Sequence, residues 1–268
     1  MSTRTPLLSI TPLTLNSIPT AEELLGAAKP LLDEVAGWKK GKLIGSVQTQ
    51  YRAKQKGDGA PWHSRLSTHT KEELSFEAFW KGLGPRGQHE PQYVHEIKAA
   101  TCLRQLEDPR MSIWSMLYVF PAPFQPRIFT ALIAVFPPKL ASPGHATAPS
   151  AGAESYDDEF ILVQVPIDVS SDAELAKANT HPEMNIVKHD NIVHGRYAAT
   201  ERVRKTQDGK TEWLMATSSN AGGNIPQFVQ DMSIPSSIAS DVPRFMAWAK
   251  TQPFANDAPA RMPEADVQ

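Results

Sequence analysis

The segment Met111 to Phe120 is apolar on both sides, which constrains the fold more than any other feature of the chain. Successive side chains of a strand alternate between faces, so Met111, Ile113, Leu117 and Val119 fall on one side and Trp114, Met116, Tyr118 and Phe120 on the other. Arg127 to Phe136 repeats the pattern, with Phe129, Ala131, Ile133 and Val135 opposite Ile128, Leu132, Ala134 and Phe136. A sheet built from such strands cannot leave a face to water. Each face must be covered by another layer or by a ligand.

Further strands are expected over Leu43 to Ala53, Tyr93 to Ala99, Phe160 to Pro166, Ile192 to Lys205 and Thr211 to Ser218, separated by Pro-, Gly- or Asp-rich turns as in an antiparallel meander. Two capping signatures mark helix starts. Thr20-Ala21-Glu22-Glu23 predicts a helix over Ala21 to Val35, kinked or split at Pro30, and Thr70-Lys71-Glu72-Glu73 predicts one over Leu74 to Leu83. Lys54 to Ser64, with Gly57-Asp58-Gly59 and Pro61, is expected to be a loop. The Ala-, Ser- and Pro-rich stretch at about 141–155 is expected to be a flexible insertion.

The cover is expected from the C-terminal part. Ile238, Val242, Phe245, Met246 and Ala249 share one helix face. Pro235 and Pro243 predict that this helix starts regular hydrogen bonding only near Ser240-Asp241. Gly222-Gly223 before it could cradle an anion at a helix start, but a tight strand-to-helix turn explains the pair better.

Tyr197, Glu201, Trp213, Met215, Gly222-Gly223, Ile225-Pro226 and Asp241, in that order, resemble the last strands and lid helix of START-like (helix-grip, Bet v 1-like) domains, and within them a branch common in filamentous fungi. Where that branch has Ser-Val before the glutamate, this chain has Ala199-Thr200. The resemblance runs from about Ala21 to Lys250. It implies an α+β helix-grip fold, in which a curved antiparallel sheet wraps a long C-terminal helix around an internal apolar cavity. The expected organisation is an arm over residues 1–19, a single START-like domain over 20–252 and a disordered tail over 253–268.

Composition removes several function classes. Lys plus Arg at 27 against Asp plus Glu at 29 gives a formal charge of -2, which offers no general field for nucleic acid. A single cysteine, Cys102, leaves no disulfide framework or thiolate metal cage and suits a reducing, cytoplasmic setting. The N-terminus lacks a secretory apolar core, and the strongest apolar run, Ala131 to Phe136, is too short to span a bilayer. The histidines are scattered without metal-ligand spacing, and no phosphate loop or nucleophile elbow occurs, so neither metal nor cofactor is expected.

The expected ligand wall is Trp114, Tyr118, Phe129, Tyr197, Trp213, Met215, Phe228, Met232, Phe245 and Met246, all residue types that core packing alone would also place inside. Gly195 to Lys205 puts Arg196, Ala198, Thr200 and Arg202 on one face and Tyr197, Ala199, Glu201 and Val203 on the other. Whichever set points inward brings a charge that needs a partner. Either an Arg-Glu pair closes the sheet rim, or Glu201 or Arg202 fixes the polar end of a ligand or works as an acid or base. On the second reading Glu201→Gln leaves folding largely intact. The expected function is binding of a lipid, sterol or polyketide/terpenoid metabolite, with transient membrane contact allowed. The alternative is a cofactor-independent cyclase, isomerase or Diels-Alderase-type pericyclase of fungal secondary metabolism, which would work by holding reacting ends together and leave no motif.

Overall fold

The computed structural model describes residues 6–121, 124–138, 158–182, 192–223 and 225–256. Ten strands form one sheet: β1 (Leu13–Thr14), β2 (Lys39–Ile44), β3 (Val47–Arg52), β4 (Trp62–His69), β5 (Ile97–Gln105), β6 (Met111–Tyr118), β7 (Arg127–Phe136), β8 (Glu159–Asp168), β9 (Val193–Lys205) and β10 (Thr211–Asn220). The spatial order is β2-β3-β4-β10-β9-β8-β7-β6-β5, with β1 paired in parallel beside β8. Neighbours along that path are antiparallel, and a short parallel stretch joins Arg127–Phe129 to Val193–Gly195.

The doubly apolar strands are buried because both faces of the sheet are covered. On one side lies α1 (Ala21–Glu34), whose Leu24, Ala28, Leu31 and Leu32 pack with Ile113, Leu132, Val163, Ala198 and Leu214. On the other side lie α2 (Phe76–Leu83), α3 (Arg86–Tyr93) and the long α5 (Gln227–Ala249), packed over Met116, Ala131, Ile133, Leu162, Val203 and Trp213. A short α4 (Ala173–Ala178) follows β8.

Local chemistry explains most boundaries. Thr20 and Glu23 exchange the reciprocal bonds of a capping box, Glu23 N to Thr20 Oγ1 at 3.2 Å and Thr20 N to Glu23 Oε2 at 2.9 Å. α1 then runs unbroken through Pro30 and ends in a 3-10 turn at Val35–Gly37. Thr70 and Glu73 make the same exchange, yet it closes only a turn. α2 begins later, at Phe76, where the Ser75 hydroxyl accepts from Ala78 N at 3.1 Å.

Four expectations are corrected here. Leu43 to Ala53 is not one strand but the end of β2, a reversal at Gly45 with φ of 59°, and β3. Lys54 to Ser64 is loop only as far as Pro61, because β4 starts at Trp62. Of the expected strand from Tyr93 to Ala99, Tyr93 ends helix α3 and 94–96 form a turn, so β5 starts only at Ile97. The C-terminal helix starts at Gln227 and continues through both prolines. Pro243 is exposed and Pro235 half-buried, so neither ring enters the core, and the buried face Ile238, Val242, Phe245, Met246 and Ala249 outweighs two lost backbone donors.

The proposed insertion at about 141–155 lies outside the described residues. Before α1, the arm buries Leu8 in the α1-side core. After α5, Pro253–Asn256 makes a 3-10 turn that seats Phe254 5.9 Å from Trp248, and the rest of the expected tail lies outside the described residues.

Candidate functional site

The β10–α5 connection places the helix over the sheet. Gly222 and Gly223 have φ of 68° and 64°, and a Cβ on Gly222 would stand 2.7 Å from the carbonyl oxygen of His194. The glycine pair is therefore required by the turn. Gln230, on α5, ties the turn from the helix side: Ala221 N donates to its Oε1 at 2.7 Å and its Nε2 donates to the Ile225 carbonyl at 2.8 Å.

Beneath the C-terminal half of α5 the packing is aromatic. Phe245 lies 5.1 Å from Trp213, 5.4 Å from Phe79 and 5.3 Å from Tyr93, and Trp213 and Phe245 are fully buried. Met246 is buried in the same cluster. These three residues form core under the helix and do not border the cleft described below.

Toward the middle of α5 the buried side chains become charged. Glu201 on β9 accepts from Trp213 Nε1 at 2.7 Å through Oε2, forms an ion pair with Arg86 through Oε1 at 2.7 Å from Nη1, and lies 3.5 Å from Arg65 Nη2. Arg86 Nη2 also reaches Glu90 Oε1 at 3.0 Å. The Arg65 guanidinium stacks 3.8 Å above the Trp213 ring, a cation–π contact sealed from water. Every charged group here is nine-tenths buried or more, since Arg65 and Glu201 are 1% exposed, Arg86 6% and Glu90 5%. Such a group of charges survives in the interior only through mutual pairing.

Next to these charges a cleft of ≈ 200 Å³ opens between the sheet and α5. Tyr118, Phe129, Tyr197, Met215 and Ile238 supply its apolar walls, and Arg86, Glu90, Gln164 and Asp241 its polar floor. Phe129 stands edge-on to Tyr118 at 5.1 Å and to Tyr197 at 5.5 Å. The Tyr197 hydroxyl donates to Gln164 Oε1. A wider surface cleft of ≈ 420 Å³ shares Glu90, Tyr118, Ser237, Ile238 and Asp241 with it and leads out past Arg244. Burial pushes the Asp241 carboxyl up to about 7, against the pull of Arg65 and Arg86, and burial also raises Glu90.

The predicted residues thus separate into groups. Tyr118, Phe129, Tyr197 and Met215 meet at the cleft. Trp114 shares their sheet face but packs against Gly87 of α3 and borders a different surface cleft, lined also by Trp80 and Arg110. Phe228 and Met232 do not belong to the wall: they are 66% and 80% exposed on the outer side of α5, because the apolar face turns by the second turn of the helix. Arg202 is also corrected. It points to the α1 side, where it meets Asp33 at 2.7 Å, so it cannot anchor a ligand under α5.

Glu201 does face α5, and its arginine partners come from β4 and α3, not from the sheet rim. The pairing argues against the expectation that Glu201→Gln spares folding, since the substitution would leave two buried guanidinium groups short of their counter-charge. Arg65, Arg86 and Glu90 were missed by the sequence reading. Of these, only Arg86 and Glu90 carried a local signal, their four-residue spacing on one helix face.

Among the described residues no group of three or more His, Cys, Asp or Glu side chains is arranged to hold a metal ion, and no helix is long and apolar enough to cross a membrane.

A curved antiparallel sheet closed by a long C-terminal helix is the START-like helix-grip fold, and solved structures agree. The fold superposes on the human StAR-related lipid transfer protein 5 with a TM-score of 0.62 at 15% identity, covering 86% of this chain and 94% of that one. Human STARD10 gives 0.64 at 10% identity, covering 92% and 85%. A STAR-related lipid transfer protein fragment from Xanthomonas axonopodis gives 0.54 at 10%, covering 80% and 99%. The chain belongs to the family described as "Protein of unknown function (DUF3074)", whose model matches residues 62–249, from the first residue of β4 to the last of α5. No curated protein matches it in sequence.

Proposed function

We propose that this protein binds a hydrophobic or amphipathic small molecule in the cleft between α5 and the sheet, with the apolar part against Phe129, Met215 and Ile238 and the polar end toward Asp241 and Glu90. One observation carries the reading: a cleft of ≈ 200 Å³ has aromatic walls and a charged floor, and on that floor Glu90 Oε2 is buried without a hydrogen-bond partner. The fold relatives titled as lipid transfer proteins support the same class of ligand.

Native mass spectrometry of the purified protein, followed by solvent extraction, tests the proposal. A co-purifying hydrophobic molecule, or saturable Nile red binding that Ile238→Trp weakens severalfold by filling the cleft, is the expected result. A protein that purifies empty, and whose Nile red signal is unaffected by Ile238→Trp, would overturn it.

A second reading, a cofactor-free isomerase or cyclase using the same cleft, is favoured by the Asp241 carboxyl, which burial pushes up to about 7, within reach of both protonation states near neutral pH. Product formed from a bound polyene by the wild-type protein, and lost in Asp241→Asn, would establish it.

A further inference from the structure

Two carboxylates at the cleft, Glu90 and Asp241, lack hydrogen-bond donors for at least one oxygen. Arg86 spends Nη1 on Glu201 and Nη2 on Glu90, and the Tyr197 hydroxyl is given to Gln164. Arg65 lies behind the Trp213 ring and does not border the cleft. On the acceptor side, Glu90 Oε2 is buried and unpartnered, and no hydrogen bond reaches the Asp241 carboxylate from the described residues. Charge points the same way. Arg65 and Arg86 supply two positive charges against three carboxylates, Glu90, Glu201 and Asp241, so with all of them ionised the pole of the cleft is one positive charge short.

The walls beside this pole are π faces and edges. Tyr118, Phe129 and Tyr197 line the cleft and meet in successive edge-to-face contacts of 5.1 and 5.5 Å, and it is the faces of such rings, not their edges, that attract a cation. Arg86 Nε and the hydroxyls of Tyr118, Ser219 and Ser237 are open donors at the cleft, but an anionic group reaching them would sit beside the protein carboxylates.

Building on the ligand-binding role proposed above, we propose that the polar end of the ligand is an amine, held as its ammonium ion between the Asp241 and Glu90 carboxylates and against the rings of Tyr118, Phe129 and Tyr197. An alcohol could fill the acceptors but would leave the charge unbalanced, and a carboxylic acid would add a fourth negative charge. The groups that set the titration of Asp241 are Arg65 on β4, Arg86 and Glu90 on α3, and Glu201 on β9, with the Tyr118 and Tyr197 phenols, which burial keeps neutral, facing the same cleft. Since an ammonium ion favours the ionised carboxylate, amine affinity rises between pH 6 and pH 8.

Calorimetric titration with decylamine, decanol and decanoate, below their aggregation concentrations at pH 8, tests the assignment on the full chain, in the wild type and in Asp241→Asn and Glu90→Gln. The expected result is decylamine binding about tenfold or more tighter than decanol, a preference that Asp241→Asn abolishes while decanol binding changes by less than about threefold. Glu90→Gln gives the same reduction in preference and serves if Asp241→Asn is poorly folded. Decanol or decanoate binding as tightly as decylamine, or a preference that survives both substitutions, would overturn the amine assignment and leave the hydrophobic cleft standing. If none of the three compounds binds, both proposals fail together.

Discussion

The two faces of the sheet solve the same covering problem with different chemistry. On the α1 side the contact is mainly aliphatic, with Leu24, Ala28 and Leu32 against Ile113, Leu132, Val163 and Leu214, and Trp38, Trp62 and Phe136 among them. The arginines that this face carries, Arg52 and Arg202, reach out to the exposed carboxylates Glu34 and Asp33 of α1. On the α5 side an aromatic cluster around Phe245 gives way to Arg65, Arg86, Glu90 and Glu201, buried and paired with one another, and then to an open cleft. Burying charges costs far more than burying leucines. A fold able to cover one face with aliphatic side chains has no structural need for ions under the other, so the second face is where binding specificity is expected.

Substitutions can break this comparison, beginning with the largest effects. Glu201→Gln removes the counter-charge of two buried arginines and should cost about 3–5 kcal/mol in urea unfolding. A loss below about 1 kcal/mol would mean that water reaches the cluster. Phe245→Ala should cost about 3–5 kcal/mol and Leu24→Ala about 2–5 kcal/mol by cavity formation. These two sharpen the contrast through pH, since neither cost should vary between pH 5 and 8.

Asp241 should show the opposite. Its folded-state value of about 7 lies above the ordinary carboxylate value, so the native protein holds a proton that the unfolded chain has released, and stability falls as pH rises from about 4 toward 7. Asp241→Asn removes that loss. Its melting temperature should exceed the wild type's by about 2–4 °C at pH 8, with little difference at pH 4, measured by calorimetry without ligand. Smallest of all, Arg202→Ala should cost less than about 1 kcal/mol and leave Nile red binding unchanged. A binding defect there would contradict the placement of Arg202 on the α1 side.

Legibility in the sequence followed the same division. Strands β6, β7, β9 and β10 and the buried face of α5 were visible because apolar residues recur in them with period 2 or 3.6, the signature of elements that meet a core. β4 was missed because Trp62-His63-Ser64-Arg65-Leu66-Ser67-Thr68-His69 reads as polar, and α3 because Arg86-Gly87-Gln88-His89-Glu90-Pro91 reads as a loop. Those two elements carry the inward-facing charges. Arg65 and Glu201 are 136 positions apart, with β10 between their strands, so no local pattern announces that each will find its partner. Phe228 and Met232 failed for the reverse reason: hydrophobicity was taken as burial in a helix segment where the structure leaves both exposed.

The strand order also bears on biosynthesis. β10 is inserted between β4 and β9, so the β2-β3-β4 group has no sheet to join until Thr211–Asn220 has left the ribosome. Until then β4 presents a bare edge, and Arg65 has neither Glu201 nor the ring of Trp213 beside it. The N-terminal third of the sheet must therefore wait, unpaired on that edge, through most of translation. Its final assembly therefore depends on distant contacts, the kind of topology that folds slowly.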